Sequence, residues 1–230
     1  MIAAPEAGLQ VAGAQGRVAG DLRALVRRRH AVPRLSNRES SPQEQAMFYA
    51  RGSTLHSTME YLDHTLSPEA REAVLARLSP SERDAIAVAA VTDDVPYQVA
   101  LSLWRSADLE LAKTDPLWAE RAGAEAIRIR GMQLYAGLIQ KPTPDDFLAQ
   151  HISLFQRYYR PGDIIVTDRS TGRATVRLVD FEAGDRLFCR RLTGGWLAGI
   201  EIAGAREPDV SHVRCVLDGD LFCEWEVRWK

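Results

Sequence analysis

The chain has 230 residues, with 29 Lys and Arg against 31 Asp and Glu, a formal net charge of -2 and 46% hydrophobic residues. That size suits one large domain or two small ones with a sizeable core, and 26% charged residues beside ordinary apolar content exclude a wholly disordered chain. Near-neutral charge leaves no global electrostatic case for nucleic acid or an anionic membrane as partner, and no stretch approaches the ~18 uninterrupted apolar residues of a spanning helix.

Three zones follow in chain order. Residues 1–45 hold one helical stretch and a linker. The opening MIAAPEAGLQVAGAQG has neither a basic n-region nor a continuous apolar run, so no secretory signal is expected and the default compartment is the cytoplasm. Val18, Leu22, Leu25 and Val26 recur at helical spacing, and Arg27, Arg28 and Arg29 suit the negative end of that helix. Leu35 to Pro42 has loop composition.

Residues 46–141 read as helical. Ser67-Pro68 and Ser79-Pro80 each place a serine N-cap before a proline at the first helical position, and Glu82 completes a capping box. Asp115-Pro116 opens a further helix. Tyr97, Leu101 and Trp104 share a helical face and are expected in the core.

Residues 142–230 change character. Thr143-Pro144 caps a helix that runs to Arg160-Pro161-Gly162. Ile164 to Thr167 and Ala174 to Val179 predict a hairpin around Asp168–Gly172. Leu187 to Ala203 predicts a helix whose Gly194 and Gly195 allow close packing against a sheet. Asp209 to Leu217 and Leu221 to Trp229 flank Asp218-Gly219-Asp220, a strong turn signal. The expected fold class is therefore α+β: a helical first part, then an antiparallel sheet with packed helices, ending in a β-hairpin.

All three cysteines, Cys189, Cys215 and Cys223, lie in this last zone, and His212 precedes Cys215 by three residues. With three cysteines in a reducing compartment, free thiols or metal ligands are favoured over a disulfide framework. A turn centred on Gly219 sets Cys215 opposite Cys223, with Cβ atoms roughly 4.5–5.5 Å apart. Two thiolates at that separation can share a zinc ion, whose Zn–S bonds are ~2.3 Å. Cys189 and His212 would complete a tetrahedron, and three thiolates with one imidazole select zinc over hard cations. Four protein ligands leave no open position, so the zinc would be structural. One objection is geometric: residues three apart on a regular strand face opposite sides, so His212 and Cys215 can meet only across a bulge or a strand end. Two alternatives stay open: three small thiols in a core with His212 at the surface, and a Cys215–Cys223 disulfide.

These residues also carry a resemblance. The stretch Gly194-Gly195-Trp196-Leu197-Ala198-Gly199, followed by V-x-C-x3-G-D-x2-C-x-W-x-V from Val213 to Val227, resembles the 4-vinyl reductase domain over roughly the last 85 residues. That domain occurs in a bacteriochlorophyll-synthesis protein and in sensor modules of phenol- and xylene-responsive activators. It is akin in structure to haem nitric-oxide sensors and to Golgi-transport tethering subunits. The helical first part resembles uncharacterised myxobacterial proteins. The resemblance implies zinc held by cysteine, glutamate, cysteine and cysteine, with Cys189, Cys215 and Cys223 matching in order and His212 in the glutamate's place. No AAA+ module or helix-turn-helix follows, so it also implies a free-standing domain.

No Walker loop, G-x-G-x-x-G, G-x-S-x-G or H-E-x-x-H occurs, nor the Tyr-x-Ser-x-Arg motif of haem-holding relatives. His56, His64 and His151 are expected as ordinary helix residues, and Glu60, Asp63, Asp145 and Asp146 as solvated or capping carboxylates. The expected function is a non-enzymatic, zinc-stabilised sensory domain with a small hydrophobic or aromatic ligand, signalling through a homodimer or a partner protein. Its pocket would lie between the helix around Trp196 and the sheet bearing Trp225 and Trp229, although Trp196 also suits a plain core position. The competing expectation is a ligand-free scaffold. A pigment reductase ranks last, for want of a redox cofactor motif.

Overall fold

The local start signals act as the sequence predicts. Ser67 Oγ accepts from the Ala70 amide and opens α2 (Pro68–Ala76). Ser79 and Glu82 form a reciprocal capping box on α3 (Pro80–Val88). Thr143 accepts from the Asp146 amide to begin α7 (Pro144–Tyr158). Each cap satisfies an amide that the first helical turn would otherwise leave unpaired. The computed structural model describes residues 48–230, all within a compact unit spanning residues 40–230. The helix expected around Val18 to Arg29 lies outside the described residues.

The remaining elements are β1 (Tyr49–Arg51), α1 (Gly52–Thr65), β2 (Asp94–Pro96), α4 (Tyr97–Leu111), α5 (Trp118–Ala126), a π-helical turn (Ile127–Gly131), α6 (Met132–Ile139), β3 (Tyr159–Arg160), β4 (Asp163–Ser170), β5 (Arg173–Val179), α8 (Arg186–Ile202), β6 (Asp209–Arg214) and β7 (Cys223–Arg228). The class is α+β, as the sequence predicts. The main sheet is antiparallel with order β4-β5-β7-β6. A second, small sheet of order β2-β1-β3 has no counterpart in the sequence reading. Among the described residues no helix is long and apolar enough to cross a membrane.

Register explains which face of the main sheet is buried. Leu178 pairs with Cys223, Val176 with Trp225 and Ala174 with Val227, and all six side chains are buried. The alternate residues carry ion pairs on the outer face. There Arg177 reaches Glu224 at 2.7 Å and lies over the Phe222 ring at 3.5 Å.

Helix α8 is the central strut, but its glycines pack differently from expectation. A Cβ at Gly194 would stand 1.8 Å from the Glu120 carbonyl oxygen, and one at Gly123 would stand 2.0 Å from that of Arg191. Two backbones meet here, α5 against α8, so the small residues accommodate a helix and not the sheet. Only hydrogen fits at such a crossing. Tyr97, Leu101 and Trp104 are buried, as their spacing predicts. Tyr97 meets Tyr159, Phe181 and Phe188 edge-on, at ring distances of 6.1, 5.0 and 5.7 Å.

Candidate functional site

Cys189 sits in the first turn of α8, whose N-cap Asp185 accepts from the Leu187 amide. Cys223 begins β7, and Cys215 follows the end of β6. The turn between them is a short 3-10 turn, Val216–Asp218, closed by Gly219 at φ 92°, a left-handed conformation that favours glycine. Asp220 Oδ2 accepts from the Cys215 amide at 2.9 Å. Arg186 of α8 pairs with Asp218, which ties the turn to the start of the helix. The regular strands are shorter than the sequence predicts because this turn consumes residues 216–218.

The register resolves the objection about His212. Pairing of β6 with β7 shifts between His212 and Arg214. This irregularity breaks the alternation of faces, and the strand ends at Arg214. His212 and Cys215 therefore reach one side. The His212 ring stacks on Trp225 with centroids 4.6 Å apart, and its Nε2 is buried with no hydrogen-bond partner.

The structure thus brings Cys189, His212, Cys215 and Cys223 together, with their ligand atoms all within 4.8 Å of one another. The Cys189 and Cys223 sulfurs are 3.7 Å apart, and those of Cys223 and Cys215 are 3.9 Å apart. Disulfide sulfurs would be ~2.0 Å apart. The three thiols are free and buried. Four ligands around zinc, with Zn–S ~2.3 Å, place neighbouring sulfurs about 3.8 Å apart. The separations match that tetrahedral edge. An orphaned buried imidazole nitrogen supplies the fourth corner, so the donor set fits zinc.

The cluster also polarises itself. The thiol of Cys189 beside it holds Cys223 down to about 4, against burial and with help from the His212 imidazole. Cys189 is pushed up, first by that same contact and then by burial, while burial raises Cys215. Trp225 serves as a wall. Its Nε1 donates to Thr193 Oγ1 at 2.9 Å, and that hydroxyl donates to the Cys189 carbonyl at 3.0 Å. Trp225 is fully buried, but it lines the sulfur cluster and not the cavity described next.

A cavity of about 60 Å³ lies among α1, α5, the π-helical turn, α7 and α8. Thr54, Ile127, Phe155, Tyr158, Arg191 and Trp196 contribute to its walls. The sequence predicts the pocket between the Trp196 helix and the Trp225–Trp229 sheet; Trp196 lines this cavity, whereas neither Trp225 nor Trp229 is among its described lining residues. Arg191 is a functional candidate that the sequence reading missed. Its side chain is 5% exposed, and its guanidinium lies 4.8 Å from the Trp104 ring centre. Its Nη1 has no hydrogen-bond partner. Burial lowers its pKa, and the groups opposing that shift are the tyrosines Tyr159, Tyr61 and Tyr97, with no carboxylate among them. The adjacent Arg190, by contrast, pairs with Glu120 at 2.7 Å.

The other candidates take ordinary roles. His56 Nε2 lies 2.7 Å from the Ala89 carbonyl oxygen, and His64 faces Glu125 at 3.3 Å. The side chain of His151 lies outside the described residues. Glu60 pairs with Arg130, Asp63 with Arg71 and Asp145 with Arg169, while Asp146 accepts from Thr143.

No protein-family model matches the chain, and no curated protein sequence does. Solved structures are similar in fold. An H-NOX protein from K. algicida, described as Fe(II) unliganded, matches with a TM-score of 0.61 at 11% identity, covering 78% of this chain and 96% of that one. An H-NOX protein from S. oneidensis in the Fe(II)NO state matches with 0.61 at 11% identity, over 78% and 99%. A point mutant of the T. Tengcongensis H-NOX protein matches with 0.55 at 12% identity, over 78% and 97%. At such identities the likeness is one of fold: the chain shares the architecture of these H-NOX proteins across nearly their whole length.

Proposed function

We propose that this chain is a non-enzymatic sensory domain that binds a small organic molecule, with its terminal hairpin held to α8 by structural zinc. The observation that carries the ligand-binding reading is the mostly apolar cavity among α1, α5, α7 and α8, in a fold shared with ligand-binding neighbours. The zinc would sit on Cys189, His212, Cys215 and Cys223. Four protein ligands leave it no open site, so it would supply cross-linking and no chemistry. The match of the three cysteines to the 4-vinyl reductase pattern supports the same assignment, with His212 in place of that pattern's glutamate.

Neighbouring structures are described with iron(II) and with haem. The described residues do not fit haem. Among the described residues the cavity lining contains no histidine, cysteine or methionine to serve as an axial ligand. Burial raises the pKa of both cavity tyrosines, Tyr158 and Tyr159, which opposes a tyrosinate ligand. His212 belongs to the sulfur cluster. The ligand is therefore an organic molecule in its own right.

The output would pass through a second copy or a partner protein, in the cytoplasm. One observation favours a docking role besides: Val213, Leu217 and Leu221 are exposed around the hairpin turn, Leu221 by 93%. The test of the main reading is thermal stability against a panel of small hydrophobic molecules. A concentration-dependent rise in Tm with at least one is expected. No shift with any, in a protein that captures partners through the hairpin, would favour the scaffold instead.

A further inference from the structure

Helix α8 buries one arginine of an adjacent pair. Arg190 keeps Glu120, whereas Arg191 enters the cavity with no described carboxylate beside it. An unpaired charge in an apolar interior is strongly unfavourable. Two further polar atoms in the same cavity wall, Thr54 Oγ1 and Tyr158 Oη, are buried without hydrogen-bond partners. All three groups can donate, and buried donors call for an acceptor. Aromatic and aliphatic side chains form most of the rest of the wall, among them Ile127, Leu154, Phe155 and Trp196.

We propose that this cavity binds a small monocarboxylic acid with an apolar body, its carboxylate on Arg191 and its ring or chain against Phe155, Ile127 and Trp196. The inference deepens the ligand-binding reading and rests on it. Guanidinium geometry matches a carboxylate with two parallel hydrogen bonds. One guanidinium balances one negative charge; a phosphate dianion would leave a second charge among apolar walls. The volume is several times the ~10–15 Å³ one water needs, and the cavity is partly open to solvent, so the acid must be small and its apolar body reaches toward the mouth. The acid neutralises Arg191 and fills the space between α1, α5, α7 and α8 together. Binding therefore tightens four helices at once, which is how a signal would leave the site.

The test measures binding of benzoate and hexanoate, and of their neutral counterparts benzyl alcohol and hexanol, to the full chain by titration calorimetry. The same titrations are run on Arg191→Met and Tyr158→Phe. The expected result is an acid bound at least tenfold more tightly than its alcohol. Arg191→Met abolishes that preference while still binding the alcohol, and Tyr158→Phe weakens the acid severalfold. Equal affinity for acid and alcohol in the unaltered protein overturns the carboxylate assignment and leaves the ligand-binding reading standing. So does a preference that survives Arg191→Met. Failure of all four compounds to bind overturns both. The acid-to-alcohol ratio in the unaltered protein decides the matter even if Arg191→Met does not fold.

Discussion

Cys189 and Arg191 stand two residues apart on α8, about 200° around the helix, in opposite electrostatic situations. Around Cys189, three sulfurs and an imidazole nitrogen converge at the spacing of a metal's ligands, a nest of electron donors. Around Arg191, a cation and two hydroxyls line one cavity, with no carboxylate among the described lining residues. The first site draws residues from α8 and both strands of the terminal hairpin, so filling it cross-links separate elements. The second is walled by helices, so filling it adjusts their packing. On the proposed reading the same helix carries a fixed anchor on one side and a responsive cavity on the other.

The anchor side should break hardest. Cys215→Ser and Cys223→Ser, or metal removal by a strong chelator, are expected to lower Tm by roughly 10 °C or more, because structural metal affinity is coupled to folding. Calorimetry of the variants checks this. Were the sulfurs merely core thiols, each serine would change Tm by only a few degrees, and a chelator would change nothing.

The crossing between the two sides comes next. Gly194→Ala drives a methyl into the Glu120 carbonyl, and neither backbone can give way without separating α5 from α8. A loss of about 3 kcal/mol is expected in urea unfolding. Gly219→Ala, at a turn with open space around it, should cost only about 1 kcal/mol, from the left-handed backbone.

Smaller still is the hook that joins anchor to helix. Trp225→Phe removes the donor to Thr193 while keeping most of the ring over His212. A loss of about 1–2 kcal/mol is expected, with zinc content unchanged. A parallel loss of zinc would mean that the indole orients the imidazole and not merely the helix. Arg177→Ala on the outer sheet face should cost about 1 kcal/mol or less, since Arg214 still faces Glu224 at 3.4 Å.

What the sequence made legible follows from how local each signal is. The Ser67, Ser79 and Thr143 caps read correctly because a cap is decided within four residues. The sulfur cluster was legible because a turn at Gly219 fixes which residues of two adjacent strands face each other. Its bulge at Val213 could only be posed as a requirement. The sheet β2-β1-β3 was not legible: its strands hold three, three and two residues, drawn from distant parts of the chain. Gly194 announced a close approach, but a missing Cβ does not say what approaches. Arg190 and Arg191 look alike in the sequence, and the phase of α8 alone sends one to Glu120 and the other inward. One signal was available. Leu187, Arg191, Gly195 and Ala198 fall at helical spacing, so Arg191 occupies a place in the apolar stripe.

Metal analysis of the freshly purified full chain, by mass spectrometry of the elements, tests the central claim most directly. The account predicts about one zinc per chain, lost together in Cys189→Ser and Cys223→Ser. A folded protein with far less zinc than chain, whose content those substitutions leave unchanged, would contradict it.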